Sequence, residues 1–122
     1  MTAQSFDMWL EAYGRAWIDG DPEAVVQLFT KDAAYFETPF DPPMIGHDTI
    51  RTYWHEGAEL GQRDVRFSHD VVAVEADVAI ARWHAVFVRT DDGTVVELDG
   101  VLLAEFDDAG RCRQFREWWH RR

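Results

Sequence analysis

The sequence predicts an α+β fold, with three N-terminal helices packed on a strongly bent, mostly antiparallel sheet. Three observations carry that prediction. Apolar residues recur at helical spacing in the first half of the chain. From Val65 onward the period switches to two. Two glycine-bearing turns, at Asp92-Gly93 and at Asp107-Asp108-Ala109-Gly110, then divide the second half into consecutive strands.

Each element has its own signal. Phe6, Trp9, Leu10, Tyr13 and Trp17 mark one apolar stripe of a first helix, and Gly20 supplies the left-handed residue that ends it. Asp21-Pro22-Glu23 offers an N-cap, a proline at the first helical position and an acidic first turn, so a short second helix carries Val25, Leu28 and Phe29. Ala33 to Glu37 reads as a short strand. Pro39, Pro42, Pro43 and Gly46 forbid regular structure over residues 38 to 46. Ile50, Tyr53, Trp54 and Ala58 give a third helix. Strands follow at Val65 to Glu75, Val78 to Arg89, Thr94 to Phe106 and Arg111 to Trp119.

A length of 122 residues, with no repeat or linker, predicts one domain over residues 1 to 122. A hydrophobic fraction of 47% excludes disorder, while the lack of any long apolar run excludes a membrane span. Six Trp and eight Phe need either a thick core or a cavity to line. The net charge of −11 repels polyphosphate, so nucleic acid is not an expected partner. Arg113, Arg116, Arg121 and Arg122 are read as the wet face of a final strand. A single Cys, Cys112, excludes a disulfide framework and is read as buried packing. The N-terminus shows no signal segment, which makes the cytoplasm the expected compartment. No cofactor is expected, and the histidines at 47, 55, 69, 84 and 120 show no metal-ligand spacing, so no metal is expected either.

The hairpin around Asp92-Gly93 separates two faces. Trp83, Ala85, Phe87, Leu98, Gly100 and Leu102 share one; Arg82, His84, Val86, Val88, Asp99, Val101 and Leu103 share the other. The second face carries aliphatics with no spare helix to cover them, which predicts a homodimer through it. His84 and Asp99 are expected diagonal on this outer face, as an interface ion pair rather than a catalytic dyad, unless a bulge reverses the faces.

Several motifs in order resemble the SnoaL-like branch of the nuclear transport factor two-like superfamily. They are Gly20-Asp21 between two helices, Ala33-Ala34-Tyr35-Phe36-Glu37-Thr38-Pro39 entering a strand, and Gly46 before Ile50-Arg51-Thr52-Tyr53-Trp54. Leu98-Asp99-Gly100-Val101 and Phe106-Asp107-Asp108-Ala109-Gly110-Arg111 complete the set. The resemblance implies a cone-shaped α+β barrel with a mixed sheet and a deep pocket between the helices and the concave sheet face. Against ketosteroid isomerases, it places the enolate-binding tyrosine on Tyr13 and the general base on Glu37. The second, protonated-Asp donor falls on Leu102, which donates nothing. In polyketide cyclases of the SnoaL type, the catalytic acid lies seven residues after the last-turn glycine, here Glu117. Trp54 matches a pocket aromatic.

Taken together, Tyr13, Glu37 and Glu117 are the candidate catalytic residues. Trp17, Trp54, Trp83, Leu102, Phe115 and Trp119 are the candidate pocket walls, with a mouth near the proline loop. A carboxylate in an aromatic-lined cavity has its charged form disfavoured and moves toward the range useful for proton transfer. Two readings stand: acid–base catalysis of isomerase, cyclase or dehydratase type on a small apolar or aromatic carbonyl compound, or a ligand-binding or dimerisation module without turnover.

Overall fold

The computed structural model describes residues 1–122. Helix α1 (Ala3–Asp19) starts in a reciprocal cap: Ser5 N–H donates to Thr2 Oγ1 at 3.0 Å and Thr2 N–H to Ser5 Oγ at 2.9 Å. It ends at Gly20, whose φ of +59° suits the one residue without a Cβ. Helix α2 (Pro22–Val26) is capped by the Asp21 side chain, which accepts from Ala24 N–H at 3.1 Å.

Helix α2 stops before Leu28 and Phe29, which the helical spacing had included. Phe29 instead opens β1 (Phe29–Phe36), which starts four residues earlier than Ala33, the start read from the sequence. The cause is tertiary. Phe29 pairs with Cys112 across the sheet, and its carbonyl lies 2.8 Å from His47 Nε2. The proline segment is also less irregular than expected. Met44–Ile45, the residues that follow Pro43, form a two-residue strand β2 against Tyr35 and Ala34. Helix α3 (His47–Trp54) continues through His55–Gly61 as a π-helix, a wider turn than the α-helix expected through Ala58.

Four long strands complete the chain: β3 (Gln62–Glu75), β4 (Val78–Arg89), β5 (Val95–Phe106) and β6 (Cys112–Arg121). The sheet runs β2-β1-β6-β5-β4-β3, with β1 parallel to β6 and every other neighbour antiparallel. It is mixed and open, with β2 and β3 as free edges rather than a closed barrel. The helices cover its inner face. Phe6, Trp9, Tyr13, Phe29, Phe106 and Phe115 fill the space between. No helix is long and apolar enough to cross a membrane.

The β4–β5 register pairs Trp83 with Gly100, Ala85 with Leu98 and Ala81 with Leu102, which separates the two faces as the hairpin implied. His84 and Asp99 prove to be directly opposite rather than diagonal, and they do not bond each other. His84 Nε2 lies 2.6 Å from Glu97 Oε2, while Asp99 accepts from Arg82 at 3.1 Å. Longer reach along the strand favours these diagonal partners. A His84–Asp99 dyad is therefore absent. Cys112 is buried, and its thiol donates to the Gln114 carbonyl.

Candidate functional site

Between the helices and the inner sheet face lies a cavity of about 260 Å³. Helix α1 contributes Tyr13 and Trp17, and β1 contributes Tyr35, with Glu37 just beyond its end. Helix α3 and its π continuation bring Tyr53, Trp54, Gly57 and Ala58, followed by Gln62. The sheet side consists of Trp83 and Phe87 on β4, Val96 and Leu98 on β5, and Glu117, Trp119 and Arg121 on β6. The small residues Ala81, Ala85 and Gly100 sit on the same sheet face, so large rings on the helices meet little bulk opposite them.

Of the residues singled out in the sequence, Tyr13, Glu37, Glu117, Trp17, Trp54, Trp83 and Trp119 surround this space. Leu102 and Phe115 do not. Phe115 is fully buried and stacked on Tyr35 at 4.6 Å and Tyr13 at 5.6 Å, within the aromatic core. Leu102 is likewise buried, on the strand position opposite Glu117. Both face inward but lie where helix and sheet have already closed together. The mouth also differs from expectation. No residue of 38–46 lines the cavity, and the exposed wall residues are Trp119 and Arg121 at the far end of β6.

Tyr35, Tyr53, Gln62, Phe87 and Arg121 were not picked out as wall residues. Alternation points to three of them: Tyr35 shares a strand face with Glu37, Phe87 shares one with Trp83, and Arg121 continues Glu117 and Trp119. Gln62 carried no sequence signal. Its position depends on the π-helix that precedes it.

The polar groups of the wall form a graded set. Glu117 is 7% exposed and makes no hydrogen bond to any protein group. Burial holds its carboxyl well above the usual carboxylate range, and the nearby Glu37 carboxylate adds to the shift. Glu37 is half-buried. Its partial burial raises it too, the Tyr53 hydroxyl opposes that by stabilising the anion, and Asp41 adds a small upward push. The Tyr13 and Tyr35 hydroxyls are 3.2 Å apart. Burial, with Glu117 next in effect, keeps both phenols neutral. Trp17 Nε1 donates to Gln62 Oε1 at 2.6 Å. The indole N–H groups of Trp54 and Trp83 are buried without a protein acceptor. Leu102 and Glu117 are register partners, so the strand next to the one that offers only an aliphatic group supplies a buried carboxyl on the same face.

A separate group of possible ligand atoms lies outside the cavity. Asp7, Glu11 and His69 bring theirs within 4.8 Å of one another, with His69 Nε2 2.8 Å from Asp7 Oδ1. Local spacing could not reveal this set, because it joins α1 to β3. An Asp–His hydrogen bond accounts for the geometry as it stands.

A family model described as a SnoaL-like domain matches residues 10–115. A solved structure of the epoxide hydrolase/cyclase-like enzyme SalBIII, described by its role in pyran ring formation in the polyether salinomycin, superposes with a TM-score of 0.83. That likeness has 19% sequence identity and covers 96% of this chain and 92% of the other.

Proposed function

The chain belongs to the SnoaL-like family, and from that starting point we propose that its cavity binds a small, largely apolar carbonyl compound and moves a proton on it. Glu117 is the acid and Glu37 the base. The observation that carries this reading is Glu117 itself: a carboxyl on the cavity wall, shielded from bulk water, with no protein partner for its oxygens. A buried acid kept neutral is a proton donor to an oxygen that develops charge.

The chemistry follows from position. Glu117 donates to the ligand oxygen as Glu37, the better solvated of the two, removes a proton from the adjacent carbon. Of the bonded Tyr13–Tyr35 hydroxyl pair, one proton is spent in their mutual bond and the other is a further neutral donor to the same oxygen. The different burial of the two carboxyls divides the roles. The unpaired indole N–H groups of Trp54 and Trp83, both on wall residues, also support a ligand that carries an acceptor atom on its apolar body, since folded proteins leave few buried donors unmatched. An epoxide, the functional group in SalBIII's designation, is a second oxygen such an acid would protonate.

A second reading, binding without turnover, draws support from Leu102, which leaves its own position without a donor. Solvent deuterium exchange into 2-tetralone, followed by NMR, separates the two. Catalysis predicts exchange well above the buffer rate, lowered about 10²- to 10⁴-fold by Glu37→Gln. Retained binding with exchange no faster than buffer identifies a binding module.

The outer sheet face supports a homodimer as a further part of this reading. Val101 and Trp118 are exposed there, and Val86, Val88 and Leu103 are only half-covered.

A further inference from the structure

Resting on that reading of the cavity, we propose that the ligand carries a carboxylate, held at the mouth by Arg121 and the Gln62 amide at the opposite end from Glu117. Glu117, Trp119 and Arg121 occupy alternate positions on one face of β6 and all three line the cavity. Four steps of extended strand separate the Glu117 and Arg121 Cα atoms by roughly 13 Å. The cavity is thus polarised along its length, with two carboxyls at one end and one cation at the other.

Arg121 is available for such a contact. Arg51, Arg82, Arg89, Arg113 and Arg122 each have a carboxylate partner, at Glu23, Asp99, Asp91, Asp77 and Glu97 respectively. The Arg121 side chain, like those of Arg66, Arg111 and Arg116, has no carboxylate partner, and of these four it alone is on the cavity wall, where it is the one cationic group. Gln62 adds a second donor. Its Oε1 is committed to Trp17 Nε1, so the amide NH₂ is the end left over, and it bonds nothing in the protein. A guanidinium fork and an amide NH₂ are both donors of the kind that a carboxylate's two oxygens accept, and both line the cavity. The body between the ends is apolar and flat-sided, with Trp54, Trp83 and Trp119 as walls. A fused-ring aromatic acid fits that description.

The test uses isothermal titration calorimetry of the full chain at pH 8 with 2-naphthoate and its neutral isostere 2-naphthamide. The proposal predicts that naphthoate binds about ten-fold more tightly. Arg121→Gln should remove most of that preference and leave naphthamide within about two-fold of its original affinity, while Arg121→Lys restores part of it. Equal affinity for the two probes, or an equal loss for both in Arg121→Gln, overturns the carboxylate clamp and leaves the cavity reading standing. Failure of both probes to bind overturns the cavity reading and the clamp with it.

Discussion

Gly100 and Trp119 stand directly opposite each other on β5 and β6, so close that a methyl group on Gly100 would fall 2.9 Å from the Trp119 Cβ. The same methyl would come nearer still to the Trp118 carbonyl oxygen, which is backbone and cannot swing away. The glycine therefore lets β6 approach and lets Trp119 lie over the sheet as a cavity wall. Gly100→Ala should destabilise the protein by about 1–3 kcal/mol through overpacking. A shift of the urea midpoint at unchanged slope checks it.

The buried acids predict a pH dependence with a definite sign. A carboxyl whose pKa is higher folded than unfolded binds protons on folding. Its favourable contribution is complete at low pH and is lost as pH rises through the interval between the two values. Glu117 and Glu37 are both shifted upward. Wild-type stability should fall from mildly acid toward alkaline pH more steeply than that of Glu117→Gln. Parallel thermal midpoints for the two proteins across that range would show that Glu117 is not held neutral.

Phe115 belongs to the core, and its replacement should behave accordingly. Phe115→Ala removes the ring stacked on Tyr35 and Tyr13 and should cost about 3–5 kcal/mol. Chemical denaturation reads that loss directly. Trp119→Ala, by contrast, removes a partly exposed wall and should weaken ligand affinity more than stability.

Val101→Lys places a charge in the middle of the outer sheet face. Light scattering at micromolar concentration should give a dimer for the wild type and a monomer for this variant, with the same circular dichroism spectrum. A wild-type monomer would remove the dimer from the reading.

Much of the fold was legible because it rests on local rules. The stripe from Phe6 to Trp17 closed by Gly20, Asp21-Pro22 and the alternation through β3 to β6 each declare an element without help from elsewhere in the chain. Phe29 shows where this stops. Its helical spacing from Val25 is genuine, yet pairing with Cys112 draws it into a strand. The site was legible to the same degree. Alternation assigns Phe115, Glu117 and Trp119 to one face but says nothing about depth along the strand. Depth is what makes Phe115 core, Glu117 a shielded acid and Trp119 a rim. Gln62 became visible only through its bond to Trp17, across the turn that the π-helix creates.

The parallel pairing of β1 with β6 also fixes an order of events during synthesis. Ala34 and Gln114 are roughly 80 positions apart, and Glu37 and Glu117 sit just beyond that seam. The β3–β4–β5 meander can form from neighbours as they leave the ribosome, but β1 has to wait for the last strand. A nascent chain stalled before Cys112 would leave Phe29 and Tyr35 on a strand paired with nothing but the two residues of β2, a state suited to chaperone capture. Both carboxyls come together only after β6 docks, so the polar wall of the cavity would be completed last, together with the final closure of the hydrophobic interior.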